Sequence, residues 1–179
     1  MGVRDCKKII VIGNCGSGKT TFATRLAEIL NLPLTHLDAE FWQPGWVGTP
    51  REQWLEKVKA MSTGDEWILD GNYGSTLKVR FLEADCVIFM DISRPTCFMN
   101  LFKRRLKYHT KPRPDLPEDC PEIIRRDELI RTWNYPKAER NRVLSYMTRF
   151  PKKEMHTFYS LKAAKKWLAN LEKKVNEEK

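Results

Sequence analysis

Short apolar runs alternate with helical patterns along the chain. Five such runs predict strands, at 7–13, 34–38, 67–70, 86–91 and 155–159. Apolar residues at three- and four-residue spacing predict six helices, at 19–30, from 49, from 95 to about 108, at 122–133, at 137–149 and from 161. The second helix takes Thr49 as its N-cap and Pro50 in its first turn. Strands that alternate with helices are typical of an α/β fold, in which helices cover both faces of a parallel sheet.

Four of the predicted strands end in a glycine or an aspartate, at Gly13, Asp38, Asp70 and Asp91. The carboxyl ends of parallel strands lie along one edge of a sheet, and ligands bind in the crevice outside that edge. We therefore expect these four residues to face one crevice, and the functional site to lie there.

The segment between the first predicted strand and the first helix matches the phosphate-binding motif GxxxxGK[ST] in full. The backbone N–H groups of such a loop, together with the N-terminus of the helix that follows, converge on phosphate oxygens. The lysine places its charge at the β/γ-phosphates, and the hydroxyl group beside it binds Mg²⁺. The motif predicts a site for ATP with Mg²⁺, formed by Gly13, Asn14, Cys15, Gly16, Ser17, Gly18, Lys19, Thr20 and the adjacent Thr21.

Two aspartates are candidates for further roles in this site. Asp70, in the sequence WILDGNY, could hold a Mg²⁺-bound water beside Thr20, or it could cap a turn. Asp38, in THLDAEFW, could orient or deprotonate the hydroxyl group of a phosphoryl acceptor, and a turn-capping role fits its position equally well. Asp91 competes with Asp70 for the metal, but its position directly before a turn favours a structural role.

Aromatic residues are concentrated in the loop that follows Asp38. Phe41, Trp42 and Trp46 flank the turn-forming pair Pro44 and Gly45. Such a group forms either a stacking wall for a base or sugar or a cover over the core, and the sequence leaves both alternatives open.

Basic residues are concentrated in the second half of the chain. The chain has 32 Lys and Arg against 23 Asp and Glu, a formal net charge of +9, and segment 103–113 holds six basic residues and no acidic one. This charge attracts polyanions without distinguishing a nucleotide from a nucleic acid. The helix that leads into the segment has a predicted inward face of four apolar residues, Phe98, Leu101, Phe102 and Leu106.

The same helical spacing places Arg105 within that inward face and Arg104 beside it. A guanidinium group removed from water needs an anionic partner, either a nucleotide phosphate or an acidic side chain. Residues 109–121 contain four prolines and no apolar periodicity, which predicts a loop. We therefore predict a lid over ATP at 108–135. The arginines that flank its loop are expected to repel one another in the absence of an anion: Arg104, Arg105, Arg125, Arg126 and Arg131.

Length and composition narrow the class of protein. The 179 residues suit a single domain, 1–179, that contains the lid as an insertion, and 41% hydrophobic residues are enough for a core. The longest apolar runs are too short to span a bilayer. Five cysteines without a CxxC pair indicate reduced thiols rather than a disulfide framework or a zinc site. The first residues lack the apolar region of a signal peptide, so we expect a cytoplasmic protein without a membrane partner.

Taken together, these motifs resemble the P-loop kinases related to adenylate kinase. WILDGNY is similar to the strand-end DG motif of nucleoside monophosphate kinases, and CVIFMDIS with the KRR helix is similar to their strand leading to an arginine-bearing lid. More narrowly, HLDAEFWQPGW, ILDGNY, KRR, CPE and WNYPK resemble the DNA topology modulation protein family over nearly the whole chain. The resemblance implies a nucleoside monophosphate kinase-like three-layer sandwich, a five-stranded parallel sheet of order 2-3-1-4-5, ATP with Mg²⁺, and a mobile arginine lid.

The resemblance also implies roles for single residues. Lys19 and Thr20 match the phosphate and Mg²⁺ positions, Asp70 matches the Walker B carboxylate, and Arg104 matches a lid-hinge arginine near the ATP phosphates.

Two departures from the adenylate kinase pattern argue against AMP as the acceptor. Asn72 and Tyr73 follow the DG pair where adenylate kinases have an arginine, and Asn100 stands where they have another. Asp38 instead resembles the corresponding residue of shikimate, gluconate and dephospho-CoA kinases, whose acceptor is a hydroxyl group.

The sequence therefore favours an ATP-dependent phosphotransferase that acts on a small nucleotide-like or hydroxyl-bearing acceptor. Lys19 and a Mg²⁺ ion would promote transfer, Arg104 and Arg105 would cover the developing charge, and Asp38 would position the acceptor. The alternative is a DNA-binding or DNA-topology-modulating regulator that uses ATP as a switch and contacts phosphates through 103–113. No recognition helix or RNA-binding signature supports that alternative, and the sequence does not indicate the oligomeric state.

Overall fold

A five-stranded parallel sheet forms the centre of the fold. The computed structural model describes residues 2–113, 115–117 and 119–177. Within these residues the strands are β1 (Lys8–Gly13), β2 (Leu34–His36), β3 (Trp42–Gln43), β4 (Val47–Gly48), β5 (Trp67–Asp70), β6 (Cys86–Met90) and β7 (Glu154–Phe158). The sheet has the order β2-β5-β1-β6-β7, and each neighbouring pair is parallel.

This strand order, 2-5-1-6-7 in chain numbering, differs from the predicted order 2-3-1-4-5. The difference comes from β3 and β4, which form an antiparallel hairpin outside the sheet and occupy two places in the numbering. Strands of two residues are too short to leave an alternating pattern in the sequence, so the hairpin was not predicted.

Helices lie on both faces of the sheet. They are α1 (Lys19–Leu30), α2 (Leu37–Phe41), α3 (Arg51–Ser62), α4 (Leu77–Glu83), α5 (Arg94–Lys107), α6 (Arg126–Tyr135), α7 (Asn141–Arg149) and α8 (Leu161–Asn176). A π-helical turn at Pro136–Arg140 joins α6 to α7. The sequence did not predict α2 or α4, and the helix expected from 122 begins at Arg126. None of the helices within the described ranges combines the length and apolar character of a membrane span.

Alternate residues of the central strand face two separate apolar layers. Ile9 and Val11 of β1 pack with residues of α1 and α8, whereas Ile10 and Ile12 pack with residues of α3, α4 and α7. Because successive side chains of a strand point to opposite faces, a strand with helices on both sides is apolar throughout. The predicted layering of helices around a parallel sheet is confirmed.

Asp38 does not end a strand, and this prediction was wrong. β2 stops at His36, which pairs with Asp70, the last residue of β5. Leu37 and Asp38 extend past the end of their neighbouring strand, and the chain turns there into the short helix α2. Thr49 is also not the N-cap of α3, because the helix begins at Arg51 and Pro50 holds the N-cap position. The Thr49 hydroxyl donates to the carbonyl oxygen of Phe41 at 2.7 Å.

The predicted inward face of α5 was only partly correct. Leu101 is buried, as expected, but Phe102 is 52% exposed and Leu106 is 80% exposed. The helix carries apolar side chains on two faces, and its spacing alone does not show which face is buried. Since Cys97 and Leu101 face the core, Arg104 follows them at the helical spacing and lies nearer the interior than predicted.

Candidate active site

A cleft of about 1070 Å³ opens at the carboxyl end of the sheet. Its lining comes from the loop after β1, from α2 after β2 and from the segment after β5, together with α5, α6 and α8. The predicted phosphate-loop residues that line it are Asn14, Cys15, Gly16, Gly18, Lys19, Thr20 and Thr21. Gly13 and Ser17 are buried. The cleft therefore lies where the strand ends predicted a site.

Two glycines allow the phosphate loop its shape. Gly16 and Gly18 have φ angles of 73° and 81°, in the left-handed region that favours glycine. A Cβ atom on Gly16 would also lie 2.3 Å from the carbonyl oxygen of Cys97 in α5. The loop therefore passes so close to α5 that no side chain fits at this position.

Two amide side chains hold the loop against neighbouring helices. Asn100 of α5 donates from Nδ2 to the carbonyl oxygen of Gly16 at 2.7 Å. Within the loop, the buried Asn14 donates to the carbonyl oxygen of Thr132 in α6 at 3.0 Å. The loop is thus tied to α5, which leads into the predicted lid, and to α6, which lies within it.

Lys19 is in a negative electrostatic environment. Burial alone would lower the pKa of its ammonium group. The carboxylate of Asp70 and, with a smaller effect, that of Asp38 oppose burial, and the pKa of Lys19 is raised. The side chain is therefore fully charged at neutral pH. A charged lysine at the entrance of a phosphate-binding loop suits a phosphate oxygen.

Asp70 is buried, 3% exposed, at the end of β5. Its Oδ2 atom lies 2.9 Å from Nδ1 of His36, whose pKa is raised by this contact against the opposing effect of burial. Its Oδ1 atom is also buried and has no hydrogen-bond partner among the described residues. A buried carboxylate oxygen without a donor fits a hydrated Mg²⁺ ion, and the Thr20 hydroxyl in the same cleft is the second predicted ligand.

The part of the chain covered by the structure contains no cluster of three or more His, Cys, Asp or Glu side chains suited to a metal. Mg²⁺ in nucleotide sites is typically held by one or two protein ligands together with substrate phosphates and water. Asp91, the competing candidate, binds Arg140 of the π-helical turn at 2.8 Å. Its position fits the structural role that the sequence favoured.

Asp38 lines the cleft from the first turn of α2. The hydroxyl group of Tyr73 donates to its Oδ1 atom at 2.7 Å. Burial and the nearby Asp38 carboxylate raise the pKa of Tyr73, so the phenol stays protonated and remains a donor. The contact fixes the orientation of the carboxylate, and no sequence pattern indicates it, because the two residues are 35 positions apart.

The aromatic residues after Asp38 divide between the core and the cleft. Phe41 packs against Trp54 and Tyr73, with ring centroids 5.1 and 4.9 Å apart. Trp42 and Trp46 line the cleft and lie against the guanidinium group of Arg125, whose central carbon is 4.6 and 4.1 Å from their ring centroids. Phe41 therefore packs against the core, as one of the two alternatives held, whereas a stacking wall for a base or sugar at Trp42 and Trp46 stays a prediction.

Arg104, one of the arginines expected to repel one another, is paired with acidic side chains that offset the repulsion at this position. Arg104 binds Glu122 and Glu128, each at 2.7 Å. Arg113 binds Glu122 at 2.8 Å and also pairs with Asp115. Burial of all these groups strengthens the pairing, and the Glu122 carboxylate, 1% exposed, bridges both arginines.

Arg105 does not face the cleft with Arg104. It donates instead to the backbone carbonyl oxygen of Glu122. The acidic residues that neutralise this region follow the basic segment by up to 24 positions, as in the pair Arg104 and Glu128. Residues this far apart in the chain are not related by helical spacing, so a sequence pattern could not predict that they pair.

The predicted lid is bonded to the β3–β4 hairpin. The N–H group of Gly45 donates to the carbonyl oxygen of Asp119 at 3.1 Å, and Nε1 of Trp46 donates to that of Pro121 at 3.2 Å. Leu116 and Cys120 are buried. Pro114 and Glu118, both within the predicted loop, lie outside the described residues. Through the residues described, the loop predicted at 109–121 therefore packs against the hairpin.

Sequence comparisons give little information about the family. No protein family model matches the chain. A curated relative, the mitochondrial ATP-dependent clpX-like chaperone of Saccharomyces cerevisiae, is 41% identical over 51 residues. The match covers 28% of this chain and 10% of the chaperone, so the chain matches only about a tenth of that relative's length.

Comparisons of structure are more extensive. The chain is similar to shikimate kinase from Acinetobacter baumannii, described in complex with shikimate, with a TM-score of 0.57, 16% identity and coverage of 97% of this chain and 94% of the other. For shikimate kinase from Bacteroides thetaiotaomicron the TM-score is 0.50, the identity 15% and the coverage 96% and 99%.

These neighbours are P-loop kinases of the adenylate-kinase-like class, and at this level of identity they show the fold. The comparisons do not show membership of the DNA topology modulation protein family.

Proposed function

We propose that the protein is an ATP-dependent phosphotransferase that moves the γ-phosphoryl group to a hydroxyl group of a small acceptor. One observation carries the proposal: Lys19, within a complete phosphate-binding loop, lines the same cleft as the oriented carboxylate of Asp38. Phosphoryl transfer depends mainly on positioning and charge stabilisation, and these two groups serve its two reactants.

The nucleotide half of the cleft is the phosphate loop with its neighbours. Backbone N–H groups of the loop and the charge of Lys19 would bind the phosphate oxygens. Thr20 and Asp70 would hold a Mg²⁺ ion, which supplies charge neutralisation at the phosphates when it is bound. Asn100 and Asn14 keep the loop in place against α5 and α6.

The acceptor half of the cleft contains Asp38. Since Tyr73 fixes one of its carboxylate oxygens, Asp38 can receive a hydroxyl group in a defined orientation. In this role it would accept the hydroxyl proton, or hold the hydroxyl in line, as the phosphoryl group moves. The shared fold of the Acinetobacter baumannii enzyme supports a kinase, but a fold does not transfer a substrate.

The nucleic-acid alternative is not favoured by the contacts of the basic segment 103–113. Arg104 and Arg113 are held by carboxylates, and Arg105 by a backbone carbonyl. The phosphates of a duplex would have to displace these partners to reach the three guanidinium groups, so the contacts give the alternative no support.

The proposed function is tested by measuring ADP release from Mg²⁺-ATP in the presence of nucleosides, nucleotides, sugars and coenzyme precursors. At least one compound should stimulate ADP release well above the rate without acceptor and should become phosphorylated. ADP release that no compound stimulates would contradict the proposal.

A further inference from the structure

We infer that the acceptor carries an anionic group, a carboxylate or a phosphate, in addition to the hydroxyl that receives the phosphoryl group, and that Arg125 binds this group. The inference rests on the proposed function, since it names the class of acceptor for the same cleft.

The guanidinium group of Arg125 is held by two indole rings. Its central carbon lies 4.6 Å from the ring centroid of Trp42 and 4.1 Å from that of Trp46. A second contact fixes Trp46, whose Nε1 atom donates to the carbonyl oxygen of Pro121 at 3.2 Å. Indoles attract a cation to their faces but accept no in-plane hydrogen bonds from it. The guanidinium N–H groups therefore need other partners, and Asp127 at Nε is one of them.

Among residues 2–113, 115–117 and 119–177, Arg125 has no buried counter-ion of the kind that Arg104 and Arg113 have. Arg104 and Arg113 share the fully buried Glu122 and have further carboxylate partners. Arg125 is only 19% exposed, yet its ion pair is with Asp127, at 3.4 Å and 53% exposed.

The Asp127 carboxylate is also closer to Arg131, at 2.6 Å. The 3.4 Å pair of Arg125 with an exposed carboxylate contributes little to stability, whereas a guanidinium group removed from water needs an anion. An anionic acceptor would supply it.

Asp38 and Trp42, one of the two indoles that support Arg125, lie on one continuous stretch of chain. Asp38 stands in α2, and Trp42 follows directly after that helix as the first residue of the hairpin that supports Arg125. Asp38, Trp42 and Arg125 all line the cleft. A molecule with its anionic group at Arg125 and its hydroxyl at Asp38 would be held at two points, and this reduces its freedom before transfer.

The test compares pairs of compounds that differ in the anionic group. Suitable probes are pantothenate with panthenol and gluconate with sorbitol for a carboxylate, and AMP with adenosine for a phosphate. Tryptophan fluorescence reports binding to protein saturated with Mg²⁺ and a non-hydrolysable ATP analogue, because the probe would contact the group that lies on Trp42 and Trp46. ADP release from Mg²⁺-ATP reports transfer.

We expect the anionic member of at least one pair to bind about tenfold or more tightly than its neutral partner, as a charge-assisted contact implies. The Arg125→Met variant should lose this preference, and Arg125→Lys should keep part of it. Arg126→Met is the matched control, because Arg126 is the exposed neighbour in the chain, and it should behave like the wild type.

Two outcomes would overturn the inference. Neutral members that bind and react as well as the anionic ones would show that Arg125 has no anion to bind, while leaving the kinase proposal intact. Absence of a fluorescence response to every anionic probe would also overturn it. Binding of anionic probes without any stimulated ADP release would instead contradict the proposed function and leave the anion site standing.

Discussion

The hydroxyl group of Tyr73 lies 2.7 Å from a carboxylate oxygen of Asp38 and donates a hydrogen bond to it. The contact joins the segment after β5 to the helix after β2, across the cleft edge of the sheet. Because the pKa of Tyr73 is raised by burial and by the carboxylate, the tyrosine remains a donor throughout the neutral pH range. Asp38 is therefore an oriented carboxylate, as an acceptor-binding group needs to be.

The first prediction separates Asp38 from Asp70. Asp38→Asn should reduce phosphoryl transfer by about 100-fold or more, as loss of a general base does, and should spare slow ATP hydrolysis without acceptor. Asp70→Asn should raise the Mg²⁺ concentration required for both reactions. Tyr73→Phe serves as the matched control for orientation and should lower transfer by about tenfold. Equal losses of both reactions in both aspartate variants would show that the division of roles is wrong.

The second prediction concerns the Glu122 carboxylate, which bridges Arg104 and Arg113. Glu122→Gln leaves two guanidinium groups with less compensation in a buried position, and we expect the free energy of unfolding to fall by about 3 kcal/mol. The control is Glu172→Gln, whose 40% exposed side chain pairs with Arg25 on the surface and should cost less than about 1 kcal/mol. Urea denaturation measures both changes. Equal changes in the free energy of unfolding would contradict the claim that Glu122 stabilises the fold through Arg104 and Arg113.

The third prediction concerns Arg80, which is fully buried in α4. Its guanidinium donates to the carbonyl oxygens of Gly71, Asn72 and Tyr73 at 2.9, 3.0 and 3.0 Å, and burial lowers its pKa to about 10. A lysine ammonium group cannot reproduce the geometry of these three hydrogen bonds, so Arg80→Lys should reduce the free energy of unfolding by about 2 kcal/mol or more.

Arg149→Lys, on the exposed end of α7, is the matched control for this change and should have little effect. Arg80→Lys should also weaken acceptor-dependent transfer, because the segment it holds carries Tyr73. A variant as stable as the wild type would show that the three carbonyl contacts are dispensable.

The phosphate loop and the central sheet were predictable because their signals are local. Eight consecutive residues specify the loop, and continuous apolar runs mark β1, β5 and β6. Arg80, in contrast, lies in a helix of seven residues that has too few turns to show a periodic pattern. Its three backbone acceptors depend on how the chain turns after β5.

The pairing of the lid arginines was not predictable for a different reason. Arg104 and Glu128 are 24 positions apart, and they meet only because α5 and α6 pack together. The interpretation of α5 was wrong at Phe102 and Leu106, which are exposed. Apolar residues at helical spacing predict a buried face, but the spacing does not show which face of the helix contacts the core. Tertiary packing decided both features.

The fourth prediction is that segment 108–135 acts as a lid. ATP phosphates would compete with Glu122 and Glu128 for Arg104. ATP would then bind the closed lid more tightly than the open one, as ligand-driven closure requires. Amide hydrogen exchange with and without a non-hydrolysable ATP analogue should show increased protection in 108–135 as well as in 13–20. Protection confined to 13–20, even with an acceptor present, would show that the segment is not a catalytic lid.

The most direct test of the central claim is transfer of the labelled γ-phosphoryl group of ATP by the wild type and by Lys19→Ala. The wild type should form labelled acceptor in equal amount to ADP, and Lys19→Ala should remain folded but lose at least about 100-fold of this rate. Lys165→Ala, which removes another lysine of the cleft lining, should retain most of it. Labelled acceptor formed at the wild-type rate by Lys19→Ala, or inorganic phosphate as the wild type's labelled product with every acceptor, would contradict the account.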